Sequence, residues 1–189
     1  MAHQGSCVAA VAIAVVMGWT SMAAAGQDPV DAAVMPPSVS WSYARVRGVS
    51  PRVAAVLIEA AVQSKTFRGL IEQINVTDGI VYIVEGKCGH GVRACLTFTI
   101  TSAGPNRVLR ILIDPEKTDR EAMRSIGHEL QHALEVLSNP TVRSLGQMYQ
   151  LYGRICSQCG DRFETNAAIL TGDAVRDELQ KSAAAERRE

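Results

Sequence analysis

Residues 118–137 read TDREAMRSIGHELQHALEVL, and the rest of the chain is best read outward from them. Met123, Ile126, Leu130, Leu134 and Leu137 recur at three- and four-residue steps, which is the spacing of one buried helix face. Thr118 and Glu121 fit a capping box, in which the threonine hydroxyl takes a first-turn amide and the glutamate reaches back to the cap. Asn139-Pro140 cannot continue a helix. The stretch therefore predicts a helix over Asp119–Leu137. His128 and His132 stand four residues apart within it, one above the other and roughly opposite the apolar stripe.

Two imidazoles in that register can reach one metal ion, and Glu129 beside the first can act on a water held there. The pattern His128-Glu129-Leu130-Gln131-His132 thus predicts a zinc site with hydrolytic chemistry. Its flanks agree: Leu130 and Gln131 are uncharged, Ala133 is small, Leu134 is apolar, and no proline interrupts. The competing reading makes both histidines part of a solvated polar face.

The whole chain of 189 residues carries 19 basic and 19 acidic side chains, enough length for one domain with a core and no charge excess to attract nucleic acid or an acidic membrane surface. Residues 1–25 contain no Asp, Glu, Lys or Arg, and an apolar run over Val8–Met17 precedes Ala23-Ala24-Ala25. That pattern predicts a cleaved export signal, placing the mature protein in the periplasm or outside the cell with no stable membrane insertion. The alternative is an uncleaved anchor over Val8–Ala25. The first segment lacks the usual Lys or Arg.

Export changes how the cysteines read. Cys7 would be lost with the signal, leaving Cys88, Cys95, Cys156 and Cys159. An even number in an oxidising compartment predicts disulfides, and the local pairs Cys88–Cys95 and Cys156–Cys159 are preferred. Gly86, Gly89 and Gly91 allow a tight turn within the first pair. A four-cysteine zinc site is a poor alternative, because Cys88 and Cys95 are badly spaced for a knuckle. A redox role for Cys156-x-x-Cys159 lacks the preceding βαβ pattern.

Residues 26–49, with Pro29, Pro36, Pro37 and Gly48, read as an irregular arm. Residues 50–181 form the expected domain and 182–189 a solvated charged tail. Ser50-Pro51 opens a helix that ends near Ser64, and a second short helix covers Thr66–Gln73. Ile80–Val84, Ala94–Thr101 and Arg107–Ile113 read as three strands joined by hairpins. Helices over Val142–Ile155 and Arg162–Leu179 follow the histidine helix. The expected class is α+β: a small antiparallel three-stranded sheet, then the His-Glu-x-x-His helix and C-terminal helices.

A sheet, a His-Glu-x-x-His helix and further helices resemble the zincin metallopeptidases over about residues 80–180. The resemblance implies zinc bound by His128 and His132, with Glu129 as general base on a metal-bound water and later proton donor. It also implies that Arg107–Ile113 is the sheet edge on which a peptide or protein substrate lies. A metzincin-type third histidine is absent, since Ser138 stands at its position and no histidine follows His132. A carboxylate must then complete the site. Glu164 at the start of the last helix, followed by Ala167 and Ala168, resembles the gluzincin arrangement. The acidic residue usual in that family after the alanine is missing, because Ala168 stands there, which removes a partner for a ligand histidine. Asp161 and Asp173 are the alternative third ligands. Glu135 reads as a surface residue that could orient a ligand. Tyr149, Tyr152, Arg154 and His90 are the available donors to a developing oxyanion. With the expected export signal, the resemblance implies an exported zinc endopeptidase. The alternatives are a zincin-like zinc protein without peptidase activity and a disulfide-braced interaction domain.

Overall fold

Ser50 caps the first helix as its position predicts. Its hydroxyl accepts the Val53 amide at 3.2 Å, and Pro51 occupies the first turn. In this computed structural model the described residues are 45–89, 91–159 and 163–188, within the unit Ser40–Glu189. The expected signal segment, most of the arm, Cys7, His90 and Asp161 lie outside them. The elements are β1 (Val46–Gly48), α1 (Pro51–Gln63), α2 (Lys65–Asn75), β2 (Gly79–Glu85), β3 (Ala94–Leu96), β4 (Thr101–Ala103) and β5 (Asn106–Ile113). They continue with α3 (Asp119–Leu137), α4 (Leu145–Ile155), β6 (Gln158–Cys159), β7 (Phe163–Glu164) and α5 (Asn166–Glu186).

The class is α+β, but the sheet corrects the antiparallel three-stranded expectation. It is mixed, in the order β1-β2-β5-β3, with β4 also paired to β5. β1, β2 and β5 run parallel, while β3 and β4 are antiparallel to β5. A parallel pair cannot be closed by a hairpin and needs a crossover. Helices α1 and α2 supply it between β1 and β2. β1 itself falls inside the segment expected to be irregular. The expected strand Ala94–Thr101 is two short pieces. At Thr97 the amide and hydroxyl both donate to the Arg110 carbonyl, at 2.8 and 3.1 Å, and Phe98 turns into an aromatic cluster. Strand β5 is therefore interior, and the implied edge role of Arg107–Ile113 is wrong. Among the described residues the edge on that side is made by β3 and β4.

Val81, Ile83, Leu109, Ile111 and Ile113 form the buried face of the sheet. Helix α3 lies against that face and also packs on α1, α2 and α5. Its predicted stripe is buried, with Ile126 and Leu130 fully so. Each such side chain contributes roughly 1.5–3 kcal/mol of transfer free energy. The capping box is formed, with Thr118 accepting from Glu121 and the Glu121 carboxylate accepting the Thr118 amide at 3.0 Å. Arg52 ties α1 to the start of α3, donating to the Pro115 and Lys117 carbonyls and pairing with Glu85 and Asp119.

The far end of α3 is closed by Arg107, which is 1% exposed. Its guanidinium donates to the carbonyls of Val136, Leu137, Asn139 and Val142 at 2.7–3.1 Å and pairs with Asp78. The hydrogen bond from Arg107 holds the Asp78 carboxyl below its ordinary range; burial opposes this, and the charges of Arg107 and Arg143 assist it. A carboxylate depressed in the folded state stabilises the fold above its unfolded value, about 3.9, and that contribution is lost as pH falls through the depressed value. The denaturant midpoint of the wild type is expected to fall more steeply between about pH 5 and pH 3 than that of Asp78→Asn. Equal slopes would show that Asp78 carries none of the acid sensitivity.

Cys88 and Cys95 form a disulfide with a Cα–Cα distance of 6.0 Å, as expected. Cys156 is also disulfide-bonded, while the Cys159 side chain lies outside the described set. The disulfides are consistent with an extracellular setting. Among the described residues no helix is long and apolar enough to cross a membrane.

Candidate metal centre

Helix α3 presents His128 and His132 from successive turns, with ring centroids 4.9 Å apart. Glu164 meets both. Its carboxylate lies 3.3 Å from His128 Nε2 and 3.9 Å from His132 Nε2. One ligand atom from each of the three residues lies within 4.8 Å of the others, so the group could hold a metal ion. Glu164 is not on a helix as expected. It ends β7, and the helix begins two residues later because Thr165 is extended and its hydroxyl accepts the Ala168 amide at 3.1 Å. Helix α4 likewise starts later than expected, at Leu145, where Ser144 caps it.

The close approach of α3 to α5 is made by glycines. A Cβ on Gly172 would come within 3.2 Å of the His128 Cβ, and one on Gly127 within 3.0 Å of Val175. Ala167 is exposed and Ala168 buried. Two glycines inside helices are costly unless a neighbour needs the space, so they were the available sequence signal for this contact.

The histidine side of α3 is covered too. His132 is 5% exposed and Glu129 is 7% exposed, which does not fit a solvated polar face. Glu129 points toward β3, and its carboxylate accepts the Leu96 amide at 2.7 Å. Burial pushes the Glu129 carboxyl above its ordinary range, while His132, His128 and the Leu96 amide pull it back. Burial alone would lower the His132 pKa, yet hydrogen bonds to Glu135 and Glu164 raise it to about 9. The same imidazoles hold the Glu164 carboxyl well below the usual range. Negative charge is thus already gathered where a cation would sit, and a metal would have to displace a proton from His132.

Glu129, His132 and Glu164 open into a cleft of about 650 Å³, whose walls include Ala94–Phe98, Val92, Tyr149, Tyr152 and Phe163. Phe98 stacks on Tyr149 at 4.9 Å between centroids and lies 5.3 Å from Phe163.

The remaining expected residues sort by their contacts. Asp173 is paired with Arg124 and Arg176 at 3.1 and 2.9 Å and does not join the metal group. The Tyr152 hydroxyl is buried and donates to the His132 carbonyl at 3.0 Å, so it is already committed. Tyr149 is half exposed and lines the cleft, whereas Arg154 is exposed and does not. Glu135 is not a surface residue, since its side chain is only 11% exposed and contacts His132. The Leu96 amide and the Thr165 hydroxyl were not foreseen, because backbone donors and caps leave no motif of their own.

No protein family, curated protein or solved structure matches the chain.

Proposed function

We propose that this protein is an exported zinc-dependent peptidase of gluzincin type. The observation that carries the reading is the convergence of His128, His132 and Glu164, two of which line a cleft together with the buried Glu129. Two imidazoles and a carboxylate are a donor set suited to zinc, leaving a position open for reaction. Zinc bound by these three residues would supply a Lewis acid that polarises a carbonyl and acidifies a water.

Glu129 takes the proton of the attacking water and delivers it to the departing amine. Among the described residues β3 has a sheet neighbour on one side only, and its Leu96 amide is taken by Glu129, so an extended peptide would lie along the rest of that edge, with Phe98 and Tyr149 walling the cleft. Tyr149 is the cleft-lining hydroxyl still exposed to meet an oxyanion.

Elemental analysis of the purified chain tests the first step. One equivalent of zinc is expected, and His132→Ala should lose it on dialysis; a wild type without metal sinks the proposal. Cleavage of a broad peptide library tests the second. Zinc binding with no cleavage anywhere would leave a zinc-binding protein and remove the peptidase.

A further inference from the structure

The Glu135 carboxylate uses one oxygen on a residue of the metal group and the other on the residue that follows Glu164. Oε2 lies 3.1 Å from His132 Nδ1, and Oε1 accepts the Thr165 hydroxyl at 2.7 Å. Thr165 is 3% exposed, caps α5, and directly follows Glu164. We propose that Glu135 is the positioning residue of the metal site, orienting His132 with one oxygen and, through Thr165, fixing the strand end that carries Glu164 with the other. The inference rests on the metal reading above and names what holds two of its three ligands in place.

The chemistry follows from the imidazole. A carboxylate on Nδ1 keeps a ring proton there, so Nε2, which faces Glu164 and the shared site, is the nitrogen that a metal would take once its own proton is displaced. On the other side, β7 is only two residues long, Phe163–Glu164, and cannot hold Glu164 firmly by its own ladder. The Thr165 hydroxyl ties that end to α3 instead, and its bond to the Ala168 amide ties it to α5. Glu135 thus supplies from the histidine helix the partner that Ala168 cannot supply from α5. It sits three residues past His132, which is the next turn on the same face.

The test is zinc affinity, measured by competition with a chromophoric chelator on the full chain. Glu135→Ala should weaken zinc by about 10–100-fold, the usual effect of removing such a partner. Glu135→Gln keeps an acceptor for Nδ1–H without the charge and should fall between. Thr165→Val should also weaken zinc, and combining it with Glu135→Ala should cost less than the sum of the two losses, since the Thr165–Glu135 bond is counted in both while the α5 cap is lost only with Thr165. The cobalt-substituted forms should differ in visible spectrum if His132 and Glu164 are displaced.

A Glu135→Ala dissociation constant within about twofold of the wild type overturns the inference. So does a lower denaturation midpoint with unchanged affinity, which marks a structural role alone, and so do additive losses in the double variant. Should Glu135→Ala fail to fold, Glu135→Gln and Thr165→Val decide the same point. A wild type that binds no zinc defeats the metal reading itself, whereas a zinc-binding wild type with indifferent variants defeats this inference alone.

Discussion

Glu129→Gln is expected to keep its zinc and to lose peptide hydrolysis by about 10²–10⁴-fold, the range contributed by a positioned general base. The substitution separates two roles that most changes in this region would mix. Glu129 is not one of the three residues whose ligand atoms converge, so the ion should remain. Glutamine also retains a carbonyl oxygen for the Leu96 amide, so the tie between α3 and β3 survives. What disappears is the ability to accept a proton. A second readout sharpens the test. The native carboxyl is buried and destabilised in its charged form, so the neutral amide should leave the fold equally stable or more stable. Loss of activity with loss of zinc, or activity within a few fold of the wild type, would contradict the assignment of Glu129 as base.

Replacing Arg107 is expected to have the largest effect on stability. Arg107→Met should cost about 3–5 kcal/mol, read as a shift in the denaturant midpoint at constant slope. The side chain fits the space, but four carbonyls and the Asp78 carboxylate lose their donor at once. Three of those carbonyl bonds are buried, so water cannot replace the guanidinium without opening the structure. Arg107→Lys should rescue little, because one ammonium cannot span the set that a planar fork reaches. A cost below about 1 kcal/mol for Arg107→Met would mean that the C-terminal turn of α3 is closed by other means.

The histidine helix was legible because all its signals were local. A cap, a stripe, a stop and the two imidazoles are set within twenty or so residues, and the structure reproduces the predicted bounds Asp119–Leu137. The sheet was less legible because pairing is decided at a distance. Ile80–Val84 reads as a near-continuous apolar run, which is the mark of a parallel strand rather than a hairpin arm, and that mark was present. Its partner β1, three residues long, offers almost no pattern to find. Arg107 shows a different limit. In sequence it is the polar end of a strand, and its function as a helix cap depends on where α3 ends in space. Glu164 was implied by the gluzincin resemblance once no third histidine was available, but its strand position follows from Thr165 serving as the cap. Of the partners of the site, Glu135 reads in sequence as able to orient a ligand but is expected there at the surface, and the Leu96 amide had to await the fold. Each is an ordinary residue whose meaning comes from what it faces.

Cys95 lies within β3, and its bond to Cys88 joins this strand to the chain just leaving β2. A three-residue strand with one neighbour has few ladder bonds, so packing alone holds this lip of the cleft weakly. The cross-link shortens the excursion the lip can make even when those bonds open. The persistence of the cleft wall is thereby covalent in origin. It follows the thiol chemistry of the surroundings, and reduction of the Cys88–Cys95 bond would loosen the rim.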